Sequence, residues 1–230
     1  MKPVVMTENL GKVYNPGSIP VTALRNATIT IDRGEFTTIV GPSGSGKTTL
    51  LNLLGGLDRP TSGSVCINGI DIATLKDPEL IDFRLWNIGF VFQHYNLIPV
   101  FTARENVAFI MLLQHRNKQQ IRERADQLLD EVGLSHRRDV RPAQLSGGEQ
   151  QRVAVARALA TEPKFIIADE PTANLDTAAA MNLLDIMERM NREKQITFVF
   201  STHDQRVIER ARRVITLVDG AIVTDRQHAS

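Results

Sequence analysis

A run of nine residues, GPSGSGKTT at 41–49, limits what this chain can fold into more than any other feature. It satisfies G-x-x-x-x-G-K-[ST] in full: Gly41, Gly46, Lys47 and Thr48 stand at the required spacing, with Ser43, Gly44 and Ser45 between them. A β-rich stretch, EFTTIV at 35–40, leads into it, and residues 47–57 read as a helix. Strand, glycine loop and helix in this order separate a phosphate-binding loop from a chance match. The glycines let backbone N–H groups turn inward around phosphate oxygens, Lys47 reaches the β- and γ-phosphates, and Thr48 offers its hydroxyl to Mg²⁺. A loop of this kind needs a largely parallel α/β sheet behind it.

The rest of the chain supplies such a sheet. Residues 88–92 (IGFVF), 164–168 and 196–201 are short β-rich runs, and helices are predicted over 177–192 and 204–211. Strands are expected at 4–14 and 23–31, separated by a turn at Asn15-Pro16-Gly17. Hairpins are expected at 64–72 around Asn68-Gly69 and at 214–223 around Asp219-Gly220. Between 102 and 160 the pattern is mainly helical, with Ala125, Leu128, Leu129 and Val132 at helical spacing. The expected fold is one α/β domain over residues 1–230, with a core at about 1–93 and 161–230 and an inserted helical subdomain at about 94–160.

A second anion-reading element follows inside that block. LSGGEQQR at 145–152 places a hydroxyl, Ser146, and two small residues, Gly147 and Gly148, at the start of a helix. Helix N-termini expose unpaired N–H groups at the positive dipole end. Two phosphate-reading elements in one chain imply one nucleotide clamped from two sides, through a hinge or through a second copy of the chain.

Chemistry beyond binding gathers at strand ends. FIIADE at 165–170 is a hydrophobic strand closing on two carboxylates, Asp169 and Glu170. Adjacent strand residues face opposite ways, so both serve one site only if Glu170 lies just past the strand, where Pro171 favours a turn. The first acid suits a Mg²⁺ shell and the second a general base for water. Ser201-Thr202-His203-Asp204 follows the run 196–200, so His203 can approach the same phosphate, while Asp204 can cap the next helix. Gln93 ends the IGFVF run in a similar place, as an amide for Mg²⁺ or water.

Composition sets bounds. Lys and Arg total 27 against 26 Asp and Glu, a formal net charge of +1, so nothing marks a polyanion binder and no nucleic-acid partner is expected. A lone cysteine, Cys66, excludes an internal disulfide framework and reads as strand packing. Arg137, Arg138 and Arg141 read as a solvated helix end. The longest apolar run, 107–113, is far shorter than the roughly 20 residues of a membrane span. A membrane role would come through a partner.

Taken in order, the phosphate loop, Gln93, LSGGEQQR, FIIADEP, Asn174-Leu175-Asp176 and His203 resemble the ATP-binding subunits of ABC transporters along essentially the whole chain. The wording GPSGSGKTTLLNLLGGLDRPTSG, IGFVFQHYNLIP and TARENV is similar to the subgroup of MacB, LolD and FtsE type. This resemblance implies a phosphate-loop ATPase core with an antiparallel β-subdomain and a helical subdomain. It implies ATP and Mg²⁺ as cofactors: Tyr14 stacks on adenine, residues 43–49 including Thr49 bind phosphates, and Gln93 and Asp169 join Thr48 around the metal. Glu170 becomes the catalytic base, Ser146, Gly147, Gly148 and Glu149 the signature, Asp176 part of the D-loop and His203 the switch. It further implies a head-to-tail pair of copies around two ATP, driving a separate integral-membrane permease that lies against the region after Gln93. An adaptor reached through that permease, and a place on the inner, cytoplasmic face of the cell membrane, follow from the same resemblance.

Two positions depart from the pattern: Ala173 stands where glycine is common, and Ser201 where an aliphatic residue is common. The segment HYNLIPVF after Gln93 is less histidine-rich than in lipoprotein-release subunits and favours MacB-type export. An FtsE-like regulatory ATPase, transmitting force without moving cargo, is the alternative.

Overall fold

The computed structural model describes residues 3–15 and 17–227; Pro16 of the expected turn lies outside them. Three strands open the chain: β1 (Val5–Tyr14), β2 (Val21–Ala27) and β3 (Thr30–Ile31). With β5 (Ser62–Ile67) and β6 (Ile70–Asp71) they form a five-stranded antiparallel sheet. The single strand expected at 23–31 is therefore two. β2 pairs with the end of β1 and β3 with its beginning, because β1 bends at register shifts around Lys12 and Asn26 takes a left-handed turn at φ 45°.

The second sheet carries the phosphate loop. It contains β4 (Phe36–Val40), β7 (Ile88–Val91), β8 (Phe165–Asp169), β9 (Thr197–Ser201), β10 (Arg213–Val218) and β11 (Ala221–Gln227), ordered β11-β10-β4-β9-β8-β7. All neighbours run parallel except the β10–β11 hairpin. FIIAD and TFVFS are almost wholly buried because both faces of the sheet are covered. Phe36, Ile166, Phe198 and Phe200 face one layer, and Ile39, Ile167, Val199 and Ile215 the other.

Helix α1 (Lys47–Leu54) covers the second face together with the antiparallel sheet. It stops three residues short of the predicted end, where Gly56 turns left-handed at φ 61°. Helix α2 (Asp77–Asn87), between the hairpin and β7, escapes periodicity because only Leu80 of its residues is buried. The helical block resolves into α3 (Ala103–Leu113), α4 (Lys118–Glu131) and α5 (Gly147–Ala160), which pack with α6 (Thr177–Lys194) in one apolar cluster. Leu183, Leu184, Met187 and Met190 form the buried stripe of α6. A short helix, α7 (Gln205–Arg210), precedes β10. Among the described residues, no helix is long and apolar enough to cross a membrane.

Candidate functional site

Parallel strands bring their C-terminal ends to one edge, and four of these ends build the site. The loop after β4 is pressed against β2: a side chain at Gly46, where φ is 100°, would place its Cβ 2.3 Å from the Ala23 carbonyl oxygen. The Gly220 amide donates to the Ser45 carbonyl at 3.0 Å, and the Arg25 amide to the Gly220 carbonyl at 2.7 Å. The β10–β11 turn thus braces Gly41 to Thr49 from behind. Ser43 and Gly44 are exposed at the tip, whereas Ser45 is buried with its hydroxyl unpartnered. Lys47 Nζ donates to the carbonyls of Gly41 (2.8 Å) and Pro42 (3.1 Å), which holds the ammonium against the loop. The first turn of α1, including Thr48 and Thr49, has amides without intrahelical acceptors at the positive dipole end.

Asp169 is the last residue of β8, with Oδ1 3.5 Å from the Thr48 hydroxyl. Burial pushes its carboxyl above the ordinary range, and Thr48 and Lys47 pull it back. Thr48 and Asp169 offer a hydroxyl and a carboxylate oxygen. Among the described residues there is no cluster of three acids, histidines or cysteines. Few protein oxygens beside a phosphate cradle fit Mg²⁺, which keeps waters and shares phosphate oxygens.

Glu170 leaves the strand through a left-handed turn at φ 46°, and its amide donates to the Ser201 carbonyl at 2.8 Å. That turn satisfies the condition for two adjacent acids to meet one site. The Thr202 hydroxyl donates to Glu170 Oε2 (3.1 Å) and accepts from the Asp204 amide (3.0 Å). His203 Nδ1 lies 2.9 Å from Glu170 Oε1. Asp204 caps α7, and the Arg206 guanidinium, with Thr172, overcomes burial and holds its carboxyl down at about 2. Gln93 lies two residues past β7 at the same edge, its carbonyl accepting from Asn174 Nδ2 at 3.0 Å.

The signature lies on other elements. α1 packs on β2, β8 and β9, while α5 packs on α3, α4, α6 and β7. Ser146 caps α5: its hydroxyl accepts from the Glu149 amide (3.2 Å), and Glu149 Oε2 accepts from the Ser146 amide (2.8 Å). Glu149 also pairs with Arg137 at 3.0 Å, and the Ser146 amide and Arg137 hold its carboxyl below the usual range. Glu149 is thus engaged within its own chain, and the amides of Gly147 and Gly148 are left as the first-turn donors. Asp176 likewise caps its own helix, accepting from the Ala179 amide at 2.8 Å.

Several side chains that tie these parts together carried no signal in the sequence. Gln151 Nε2 donates to the carbonyls of Pro171 (2.9 Å) and Phe92 (3.3 Å). Arg157, its pKa lowered by burial, donates to the carbonyls of Tyr95 (2.9 Å) and Asn96 (2.5 Å). Tyr95 and Asn96 both adopt positive φ. The signature helix therefore grips the segment after Gln93 and the loop after Glu170. Arg138 pairs with Asp126 and Asp130, so this part of the basic cluster is neutralised within the chain. Burial, with Asp71 and Glu8, pushes the Cys66 thiol up, away from reactivity.

Tyr14, at the end of β1, is about one-third exposed. Burial raises its phenol pKa, with the Thr49 side chain acting against and Asp58 with that shift.

Residues 24–173 match the family model described as "ABC transporter". The chain is 50% identical to the lipoprotein-releasing system ATP-binding protein LolD 1 of Chlorobium chlorochromatii, over 91% of this chain and 86% of that protein. It is 47% identical to LolD 1 of Rhodopseudomonas palustris, over 96% and 99%. Identity to the macrolide export ATP-binding/permease protein MacB of Rhodopirellula baltica is 45%, over 99% of this chain but 34% of that protein. Among solved structures, a dimeric bacterial ABC transporter cassette superposes with a TM-score of 0.91 at 41% identity, covering 98% of this chain and 99% of that one. A dimeric cassette in a post-hydrolysis state, bound to ADP and Pi, gives 0.90 at the same identity and coverage. The chain belongs to the ABC transporter family, as an ATP-binding, ATP-hydrolysing subunit of the group that includes LolD and MacB.

Proposed function

We propose that two copies of this chain pair head to tail, each ATP lying between one copy's loop at 41–49 and the other's Ser146, Gly147 and Gly148. The observation that carries this reading is the separation of the two elements. Lys47, Thr48, Asp169, Glu170 and His203 share one sheet edge, while the signature sits on a helix that packs elsewhere. Tyr14 stacks on the adenine, the loop amides and Lys47 hold the phosphates, and Asp176 shapes the facing D-loop. Thr48, Asp169 and Gln93 would hold Mg²⁺, which, when bound, neutralises charge on the β- and γ-phosphates. Glu170, kept in place by Thr202 and His203, takes the proton from the attacking water.

Opening of the pair after hydrolysis moves a separate permease of a lipoprotein, peptide or macrolide export system, on the cytoplasmic face of the membrane. A groove of about 420 Å³ between α2, α3 and the segment after β7 supports this partner. Ile81, Leu85, Phe92, Ile98 and Phe109 line it, and Tyr95 and Asn96, held by Arg157, join its wall to the signature helix. An adaptor would be reached only through that permease.

The test is ATP-dependent assembly. The Glu170→Gln chain with MgATP is expected to elute as a dimer that the wild type forms only transiently, and the doubly substituted Glu170→Gln, Ser146→Ala chain as a monomer. A Glu170→Gln chain that binds ATP and stays monomeric at all concentrations would sink the head-to-tail reading.

A further inference from the structure

The ring of Tyr14 is held by two side chains to which neither the family pattern nor the proposed mechanism gives a role. Its phenol donates to Asp58 Oδ2 at 2.9 Å. Lys12 Nζ donates to Asp58 Oδ1 at 2.6 Å and to the Arg59 carbonyl at 2.8 Å, and lies over the ring, 4.9 Å from its centroid. Asp58 accepts a third bond from the Arg59 amide at 2.7 Å. Burial works against its charge, but Lys12, Tyr14 and that amide hold its carboxyl below the ordinary value.

Asp58 is also fixed to the phosphate-binding helix. It lies in the turn that closes α1, where the amides of Leu57 and Asp58 donate to the Asn52 carbonyl at 2.8 and 3.3 Å. Lys12 is 13% exposed and Asp58 28%, so the ion pair is largely withdrawn from water and keeps more of its strength than a surface pair.

We infer that Lys12 and Asp58 are positioning residues for the nucleotide base: Asp58 pins the Tyr14 hydroxyl, and Lys12 covers one face of the ring, leaving the other for adenine. This rests on the reading of Tyr14 as the base platform. A ring already fixed relative to the phosphate loop loses no freedom when the base stacks on it. A ring released from Asp58 must be immobilised by the ligand itself, which weakens binding by roughly two- to tenfold.

The alternative is that Lys12 and Asp58 merely fasten β1 to the turn after α1. Base-less inorganic tripolyphosphate with Mg²⁺ separates the two, because it engages the phosphate loop without touching Tyr14. Tyr14→Phe keeps the ring and removes the hydroxyl, and Lys12→Met keeps the aliphatic stem and removes the charge. Both are expected to raise the Kd and KM for ATP by about two- to tenfold, with kcat changed by less than about twofold and tripolyphosphate binding unchanged. The double variant is expected to lose little more than the worse single one, since both release the same ring. Tyr14→Leu removes the platform. If Tyr14→Leu weakens ATP binding and Tyr14→Phe does not, the lock is wrong and the platform stands; if Tyr14→Leu binds ATP like the wild type, the platform reading itself fails. Equal weakening of ATP and tripolyphosphate in Tyr14→Phe or Lys12→Met would show a structural staple and overturn the inference.

Discussion

His203 Nδ1 lies 2.9 Å from Glu170 Oε1, although 33 positions separate the two in sequence. Glu170 is mostly buried and His203 mostly exposed, at 16% and 75% of their side-chain surfaces. With Nδ1–H donated to the carboxylate, the imidazole turns Nε2 away from Glu170 and toward solvent, where a phosphate oxygen can meet it. One carboxylate thus has one oxygen on a buried hydroxyl and the other on an exposed imidazole.

Glu170→Gln keeps the shape of this pair and removes the base. Steady-state phosphate release is expected to fall by at least about a hundredfold, with ATP affinity retained, since phosphate contacts lie on α1 and its loop. Phosphate release and binding of a fluorescent ATP analogue, measured on the same preparation, check both halves. Hydrolysis within roughly tenfold of the wild type would remove Glu170 from the role of base.

Thr202 is fully buried and serves two partners, donating to Glu170 and accepting from the Asp204 amide. Thr202→Val preserves volume and strands both. It is expected to cost about 1–2 kcal/mol of stability and to lower kcat roughly tenfold, with the KM for ATP little changed. Thr202→Ser retains the hydroxyl and should restore kcat, which a purely steric role for Thr202 would not produce.

The parts of the site legible in the sequence are those whose chemistry is contiguous. GPSGSGKTT, the Asp169-Glu170 pair and LSGGEQQR each carry donors and turns within a few residues. What holds them together is not contiguous. Gln151 reaches Phe92 across 59 positions, Arg157 reaches Asn96 across 61, and Asn174 reaches Gln93 across 81. No local pattern encodes such contacts; they arise once the sheet order places β7 beside β8 and α5 packs against β7. Glu149 shows the converse. The capping spacing Ser146-x-x-Glu149 is local, and it turns the carboxylate of this signature residue back onto the helix start. Helix α2 is not legible for another reason: it buries only Leu80, so it lacks the apolar stripe that periodicity detects.

Gly148 sits where the signature helix meets α6. A Cβ there would lie 2.8 Å from the Ala179 Cβ, an atom fixed to the helix backbone, so Gly148→Ala must shift the start of α5. A displacement of about 1 Å at a reacting group costs on the order of a hundredfold in rate. Since α1 and the loop at 41–49 are untouched, ATP binding to the single chain is expected to stay within about twofold of the wild type while hydrolysis is lost. Equilibrium binding with separate turnover assays checks this. Loss of binding in step with turnover would mean that the signature and the loop do not act from separate copies.

Asp204 supplies a pH signature that is independent of catalysis. The Arg206 pair and the Thr172 hydroxyl bring its pKa from 3.8 to about 2 in the folded chain. A carboxyl with a depressed folded pKa binds its proton more readily in the unfolded chain. Its contribution is therefore complete above about pH 4 and is lost as pH falls through 4 toward 2. Asp204→Asn keeps an N-cap for α7 and removes the charge. The wild type is expected to be more stable than this variant by on the order of 1–2 kcal/mol at neutral pH, with the gap closing between about pH 4 and pH 2. Thermal melts of both chains across that window test it: a gap that stays constant down to pH 2 would mean that the Arg206 pair contributes nothing beyond the cap.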